Sequence, residues 1–491
     1  MTPILRAVPR PLIALLAAVL VTAMTWALFT PPWQSPDETQ HFAYAQTLAE
    51  RFVLPGDRSR HPLSSEHELA DNASRSGREA RIPGVEWSAA AFGRWRRAAA
   101  RLPRGARRDG GGPNAAAANP PLYYGYEAIA YRAAAGTSIF GRLYAMRVWS
   151  ALLLLVTTTA TWLLAGELLG RSRPLQLAAG AVAGLAPMTT FMTASVNPDA
   201  MLYALWSLAL WLGVRILRRG LNAVDAVALL AVCGLAVTVK ATSYALLAPV
   251  LLVLAVSAWR QRRRARRALA AAVALAALAF AVPAGGWLIA ARALSRPAVN
   301  QITAQTESDV IVPYHAHPPF NARGFLSYLR QFYLPSAARG ALFPHTLPVY
   351  SAWFKGALGT FGWRQFRLAP AVFFLLAALC LAALVAAAVA VARGRVGLDW
   401  QTAAFLSLAV LGLLVVLHLT EYRIIFLAKE RDDFNQGRYL LPLVSLGAVT
   451  VAAALSGLRG RGRAHAVAAL LGGLVVLQAL SLGTVAEWFY G

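Results

Sequence analysis

The sequence predicts an all-α polytopic membrane protein, a bundle of about 11 transmembrane helices with two large extracytoplasmic loops carrying interfacial helices. Three observations carry that prediction. Of 491 residues, 58% are hydrophobic and 14% charged, against roughly 45–50% and about 25% in a soluble domain. A water-exposed surface cannot accommodate such a surplus, and a disordered chain would be far poorer in apolar residues. Apolar runs of the length that spans a bilayer, about 20 residues, recur along the chain, and arginine collects in every second connection between them.

The runs lie near 11–29, 142–168, 174–192, 199–214, 223–239, 242–258, 268–292, 370–392, 400–419, 438–456 and 464–485. Arg6 and Arg10 before the first run fit a secretory leader as well as an anchor. Trp26 and Pro31-Pro32 stand where a small-residue cleavage site belongs, so the run reads as an anchor. The chain therefore divides into a first span (1–29), an outer loop (30–141), a bundle (142–293), a second outer loop (294–369) and C-terminal spans (370–491).

The formal net charge is +25, almost entirely from arginine, with lysine only at 240, 355 and 429. The connections near 171–173, 215–219, 260–267, 393–395 and 459–463 hold 2, 3, 6, 2 and 3 arginines and no acid. Basic short loops mark the cytoplasmic side. The alternation thus predicts a cytoplasmic N-terminus, an outer C-terminus and a multi-pass protein of a bacterial plasma (inner) membrane. The charge reports topology, so the expected partner is the lipid bilayer, which the Arg260–Arg267 run would touch at anionic heads, and no nucleic acid is expected. Cys233 and Cys380 fall in apolar runs and read as small core residues.

The outer loops span 112 and 76 residues, and loops of that length are functional or disordered. Residues 57–118, rich in Arg, Gly, Ser and Ala, read as a partly disordered insert. Residues 294–369 hold Tyr314, Phe320, Tyr328, Phe332, Tyr333, Tyr350, Trp353, Phe354, Phe361 and Trp363, and should fold against the membrane face.

Four polar clusters fall on the outer side of this topology: Ser35-Pro36-Asp37-Glu38 with His41, Asn119-Pro120-Pro121-Leu122-Tyr123-Tyr124, Asn197-Pro198-Asp199 and Asn435-Gln436-Gly437-Arg438-Tyr439. Lys240 joins them in a short outer hairpin. Each has a plain structural reading. Ser35 through Glu38 fits a capping box with Ser35 as N-cap, Pro36 at N1 and Glu38 at N3, and Asn119-Pro120 and Asn197-Pro198 fit helix starts. Their convergence on one face points to one site. Asp37 and Glu38 precede an amphipathic stretch of Phe42, Ala45, Leu48, Ala49 and Phe52, which would hold both acids at the interface, where an anion without a partner is costly.

Outside the cell no nucleotide pool exists, so a sugar donor there is carried on a lipid phosphate. Transfer needs a carboxylate base for the acceptor hydroxyl and cations on the leaving phosphate. Asp37 or Glu38 supplies the base; Lys240 and Arg438 are candidates for the phosphate. The same two acids could hold a divalent cation such as Mg or Mn, although with Asp199 they make a thin ligand set. His315 and His317, with His345 nearby, read as exposed loop histidines, and Glu307 and Asp309 as weak acceptor contacts.

The run PPWQSPDETQHFAYAQTLAERFVLPG after the first span resembles the start of a bacterial membrane-protein family, domain of unknown function twenty-one forty-two. SVNPDAMLY, the Lys240 hairpin, WFKGALGTFGW and NQGRYLLPL are similar to that family's other landmarks, in the same order. The family is similar to the GT-C glycosyltransferases, which use polyprenyl-phosphate sugars. The resemblance implies a GT-C-like fold, Asp37 as base, Glu38 assisting or binding metal, and inversion at the anomeric carbon. It implies a polyprenyl-phosphate-linked sugar donor and a glycan, lipid or protein acceptor in the cell envelope. Asn119 through Tyr124 is similar to an element that many such chains carry. His41, Asn119, Tyr123, Asn197, Asp199, Lys240, Gln436 and Arg438 are the expected substrate contacts, and the 57–118 insert has no counterpart. Two other functions share parts of this pattern. A transporter or flippase for a lipid-linked sugar would place ionisable groups at mid-membrane, where Glu167, Asp225 and His418 instead fall near span ends. An envelope polysaccharide polymerase or ligase shares the lipid-phosphate chemistry.

Overall fold

The computed structural model describes residues 8–74, 88–261, 266–293, 320–335, 346–428 and 436–490. The chain opens with α1 (Arg10–Phe29), whose Pro11 sits in the first turn, where no N–H is needed. The first outer loop supplies α2 (Glu38–Arg51), α3 (Ser65–Ser74), α4 (Ala89–Ala99) and α5 (Leu122–Ala133). The bundle follows as α6 (Ile139–Leu168), α7 (Arg173–Leu185), α8 (Pro187–Thr193), α9 (Asp199–Arg219), α10 (Ala223–Val237), α11 (Leu247–Gln261) and α12 (Arg266–Ala293). The second outer loop gives α13 (Ala322–Tyr333) and a hairpin of β1 (Thr360–Phe361) and β2 (Phe366–Arg367). The last helices are α14 (Pro370–Ala392), α15 (Trp400–Ala428), α16 (Val444–Leu455) and α17 (Gly460–Tyr490).

Among the described residues, nine helices are long and apolar enough to cross a membrane, α11 and α16 only together with the 3-10 turns that lead into them (Ala241–Leu246 and Gly437–Leu443), and α7 with α8 makes a tenth, bent by 55°. The bend has a local cause. Pro187 lacks an N–H and disfavours helical geometry at the residue before it, and Ala186 is extended (φ −69°, ψ 127°). The eleventh expected span is α10, which at 15 residues is shorter than a full crossing and ends in the turn that carries Lys240.

α9 is the most enclosed of the spans, with 83% of its apolar window buried, while α14 is the least, at 11%. α6 packs on α1, α7 and α9. Hydroxyls join these helices: Thr161 meets Ser445 (2.6 Å) and Ser445 meets Ser207 (2.7 Å), contacts that hold helices together where lipid offers no hydrophobic drive.

The described parts of the 57–118 insert, 57–74 and 88–118, carry α3, α4 and several ion pairs. Arg107 and Arg142 clamp Glu66, Arg108 reaches Glu50, and the Asp109 carboxylate accepts the Ser65 N–H (2.9 Å). In the second loop, α13 lays Tyr328 and Phe332 onto α15, where His418 meets the hydroxyls of Tyr328 (2.9 Å) and Tyr333 (2.7 Å). The hairpin is seated by Phe361 against Trp26 and Phe191 and by Phe366 against Trp488 and Phe489.

Candidate active site

The predicted capping box does not form. α2 begins at Glu38 with Asp37 in the N-cap place, in the left-handed region (φ 60°, ψ 10°) and making no side-chain cap. Ser35 contributes only its carbonyl, which accepts the Glu38 N–H (3.2 Å). Asp tolerates this backbone region better than most residues, and such geometry concentrates where the surroundings impose it, often at functional sites. Here the surroundings are Glu38 and Asn197.

Glu38 and its partner are both fully buried. Arg147 donates to its two oxygens (2.8 and 2.5 Å) and also to the carbonyls of Ala27, Thr30 and Pro31. The Val196 N–H donates to Glu38 as well (3.1 Å). Three hydrogen bonds on this carboxylate pin the motif to α6 and to the approach of α9. Glu38 is thus a frame residue, and the expected assisting or metal-binding role does not fit it. Asn197 is likewise spent on the frame: its amide donates to the Pro36 carbonyl (3.1 Å) and its oxygen accepts the Asp199 N–H (3.0 Å). Tyr123 is fully buried and bonds Ser150 (3.0 Å), beside Glu127, whose buried carboxyl is pushed well up by desolvation. Neither Asn197 nor Tyr123 has the free polar atoms expected of a substrate contact.

Asp37, His41, Asp199, Lys240 and Arg438 do come together. Arg438, 3% exposed, donates from Nη2 to Asp37 Oδ2 (2.7 Å) and to the Tyr439 hydroxyl (3.2 Å). Lys240 donates to Asp199 Oδ1 (2.7 Å) and lies over the Tyr439 ring (4.6 Å). Tyr203 of α9 holds the Arg438 carbonyl (3.1 Å). Arg438 Nε and Nη1 and Asp199 Oδ2 are buried without a partner, a costly condition that an incoming anion and hydroxyl would relieve. Asp37 is the open member, its side chain 36% exposed.

Burial pushes the Asp37 carboxyl up, but Arg438, with help from Lys240, outweighs it and holds the group below the usual carboxylate range. Asp37 is therefore ionised at neutral pH. Burial lowers His41 to about 4, against the opposing pull of Asp37, so the imidazole is neutral. The Tyr124 hydroxyl meets His41 Nδ1 (2.9 Å) and accepts from Asn119 Nδ2 (3.2 Å). Asn119 thus acts on the site through Tyr124.

Arg438 depends on one backbone contact. A Cβ at Gly437 would stand 2.2 Å from Ala357 N and from the Trp353 carbonyl, so only glycine lets this segment meet the second outer loop. The contact brings two residues unseen in the sequence, Arg364 and Arg367, to the same narrow recess as Pro36, Gln436 and Arg438. Arg147 was missed too, although Arg142 and Arg147 inside an apolar run signal a buried partner.

A divalent cation needs several convergent free oxygens. Glu38 is consumed by Arg147, Asp37 and Asp199 each hold a cation, and among the described residues no three His, Cys, Asp or Glu converge on a point. These residues do not fit a Mg or Mn site. Asn435, Glu307, Asp309, His315, His317 and His345 lie outside the described residues.

No curated protein matches the sequence. Among solved structures the chain is similar to the apo oligosaccharyltransferase of Archaeoglobus fulgidus (13% identity, TM-score 0.49), of which it spans just over half, 56%, with 97% of its own length. It is also similar to ArnT from Cupriavidus metallidurans, apo (13%, 0.48) and bound to undecaprenyl phosphate (15%, 0.46), covering 97% of this chain and 74% of that one. At these identities and scores the likeness carries no weight for the chemistry. The model of one family runs along residues 20–446, most of the chain, and the protein belongs to that family, described as predicted membrane protein (DUF2142).

Proposed function

We propose that this protein is a membrane glycosyltransferase of GT-C type, moving a sugar with inversion from a polyprenyl-phosphate donor to a cell-envelope acceptor. The reading takes the arginine distribution as orientation, with the site on the extracytoplasmic face of the plasma membrane. What supports it most is one observation: an exposed carboxylate, Asp37, bonded to a buried arginine that has two further donors unmet.

The chemistry follows from that pair. A donor phosphate beside Arg438 takes up Nε and Nη1 and draws the guanidinium from Asp37, with Lys240 adding charge. As Arg438 turns to phosphate, the influence that depresses the Asp37 pKa weakens and the carboxylate becomes a better base. Asp37 then takes the proton of the acceptor hydroxyl while that oxygen bonds to the anomeric carbon. The carbon–oxygen bond to phosphate breaks, its electron pair leaves on the lipid phosphate, and Arg438 and Lys240 stabilise the new charge. Neutral His41 and Asn119 hold the Tyr124 wall of the site, and Gln436 borders the recess.

Asp37→Asn tests the reading. It should cut sugar transfer by about 10²–10⁴ while membrane insertion and donor binding survive. Near-normal transfer by the variant would remove Asp37 from the role of base.

A further inference from the structure

Resting on the proposed function only in taking a glycan as acceptor, we infer that the outer insert carries a second binding site, a pocket for an acidic saccharide unit. The pocket encloses about 420 Å³, within the range of small-ligand sites. Its walls are Glu50 from the end of α2, Glu66 from α3, and Leu102, Arg104, Arg107 and Arg108 from the segment after α4.

The acids of this pocket are spent. Glu50 accepts from Arg108 (3.2 Å) and from the Tyr131 hydroxyl (3.1 Å) on its two oxygens. Glu66 accepts from Arg107 (3.3 Å) and from the fully buried Arg142 (2.5 Å). The donors are not spent. Arg108 gives only Nε to Glu50, and its side chain is 67% exposed. Arg107 uses Nε and Nη1 and keeps Nη2. Among the described residues Arg104 has no ion-pair partner. The pocket thus offers free N–H groups beside saturated carboxylates, which suits a ligand that brings oxygen acceptors of its own. An arginine fork takes the paired oxygens of a carboxylate or phosphate bidentately. The whole insert favours an anion as well. Residues 57–118 hold 12 arginines against 7 acids, so pairing every acid in it, and Glu50 besides, still leaves arginine over. An excess of that sign draws anionic ligands.

The frame of the pocket is fixed. The Glu66 N–H donates to Ala106 O (3.0 Å), the Ser65 N–H to the Asp109 carboxylate (2.9 Å) and the Gly56 N–H to Gly111 O (2.8 Å). A Cβ at Gly110 would stand 2.5 Å from Ser64 N, and one at Gly112 2.1 Å from Arg60 O, so the chain after Arg108 lies flat on the loop before α3. Asp37 stands at the start of α2 and Glu50 in its last turn, roughly 20 Å apart at about 1.5 Å per residue. The pocket is therefore separate from the reacting atoms, and a saccharide chain of several units reaches both.

Binding of trigalacturonate, neutral galactotriose and inorganic phosphate to the full chain in phosphatidylcholine nanodiscs tests this. Wild type should hold trigalacturonate at least about tenfold tighter than galactotriose. Arg104→Gln with Arg108→Gln should erase that difference, and Arg104→Gln alone, which breaks no ion pair, should give part of the effect. Arg96→Gln, at an exposed position of α4 outside the pocket, should keep it. Asp37→Asn should bind trigalacturonate as wild type does. No preference in wild type overturns the inference, as does a preference that survives in the double variant. Equal loss in Arg96→Gln overturns it in favour of diffuse charge, and loss in Asp37→Asn in favour of the site at Asp37. Phosphate that displaces trigalacturonate at equal concentration overturns it in favour of a free anion. Binding abolished by phosphatidylglycerol in the nanodisc overturns it in favour of a lipid headgroup. Should trigalacturonate bind as expected while no sugar leaves any polyprenyl donor, the pocket stands and the transfer reading fails.

Discussion

Two adjacent side chains show how neighbouring residues with similar chemistry take opposite roles. Asp37 and Glu38 are adjacent, yet one is open and the other fully enclosed by Arg147. A buried ion pair adds little net stability, but removing one partner strands the other and costs about 3–5 kcal/mol. Glu38→Gln should therefore lower the thermal stability of the detergent-purified protein by that order, and Glu38→Leu with Arg147→Met should restore much of it. Unchanged stability in Glu38→Gln would mean that the pair is not holding the motif. His67 is a second case. It is fully buried between Trp33 and Phe42, both ring nitrogens lack partners, and burial lowers it to about 3 from an ordinary 6.5. The unfolded chain takes up the proton below about 6.5 and the folded chain refuses it until about 3. Stability is thus full above that window and falls as pH drops through it, by about 2 kcal/mol at pH 5. His67→Phe should raise stability at neutral pH and flatten its acid dependence in thermal melts between pH 7.5 and 5. An unaltered pH slope in the variant would exclude His67 as the group responsible. His41, depressed for a similar reason, leaves a residual slope.

At the scale of elements, the site is assembled by short segments that approach closely. Gly437 faces Gly356, and the Gln436–Arg438 segment passes against the helical segment Trp353–Ala357 with no room for a side chain. Gly437→Ala forces the two loops apart and should weaken undecaprenyl phosphate binding by about tenfold, while the variant elutes as folded protein. Overpacking of this kind costs about 1–3 kcal/mol, less than loss of the fold. Wild-type affinity in Gly437→Ala would show that Arg438 is not positioned by this contact. The elements themselves were largely readable from sequence. Apolar runs gave the spans, and Pro187 marks the one that bends. α10 was overestimated because its apolar run continues into the Lys240 turn, and hydropathy does not register a turn. In the insert, composition reports arginine content and not the acids, Glu66 within it and Glu50 before it, that pair with Arg107 and Arg108.

Across the whole molecule, the site joins Asp37 to Arg438 over 401 positions and Asp199 to Lys240 over 41. Such pairs leave no local periodicity. What was legible was that the polar clusters fall in alternate connections between the spans and so belong to one face. That sufficed to gather Asp37, His41, Asp199, Lys240 and Arg438. It could not separate Asp37 from Glu38, since only the packed structure shows which carboxylate Arg147 consumes. Nor could it find Arg364 and Arg367, whose place depends on a hairpin seated by aromatic residues from three separate helices.

The central claim is that Asp37 is the base of a sugar transfer from a lipid phosphate. The most direct measurement offers purified, reconstituted protein polyprenyl-linked sugars together with envelope lipid extract, and follows release of the sugar from its carrier in wild type and Asp37→Asn. The account predicts release by wild type and a loss of about 10²–10⁴ in the variant, with donor binding retained. A donor that binds wild type and stays intact with every acceptor, or a variant as active as wild type, would contradict it.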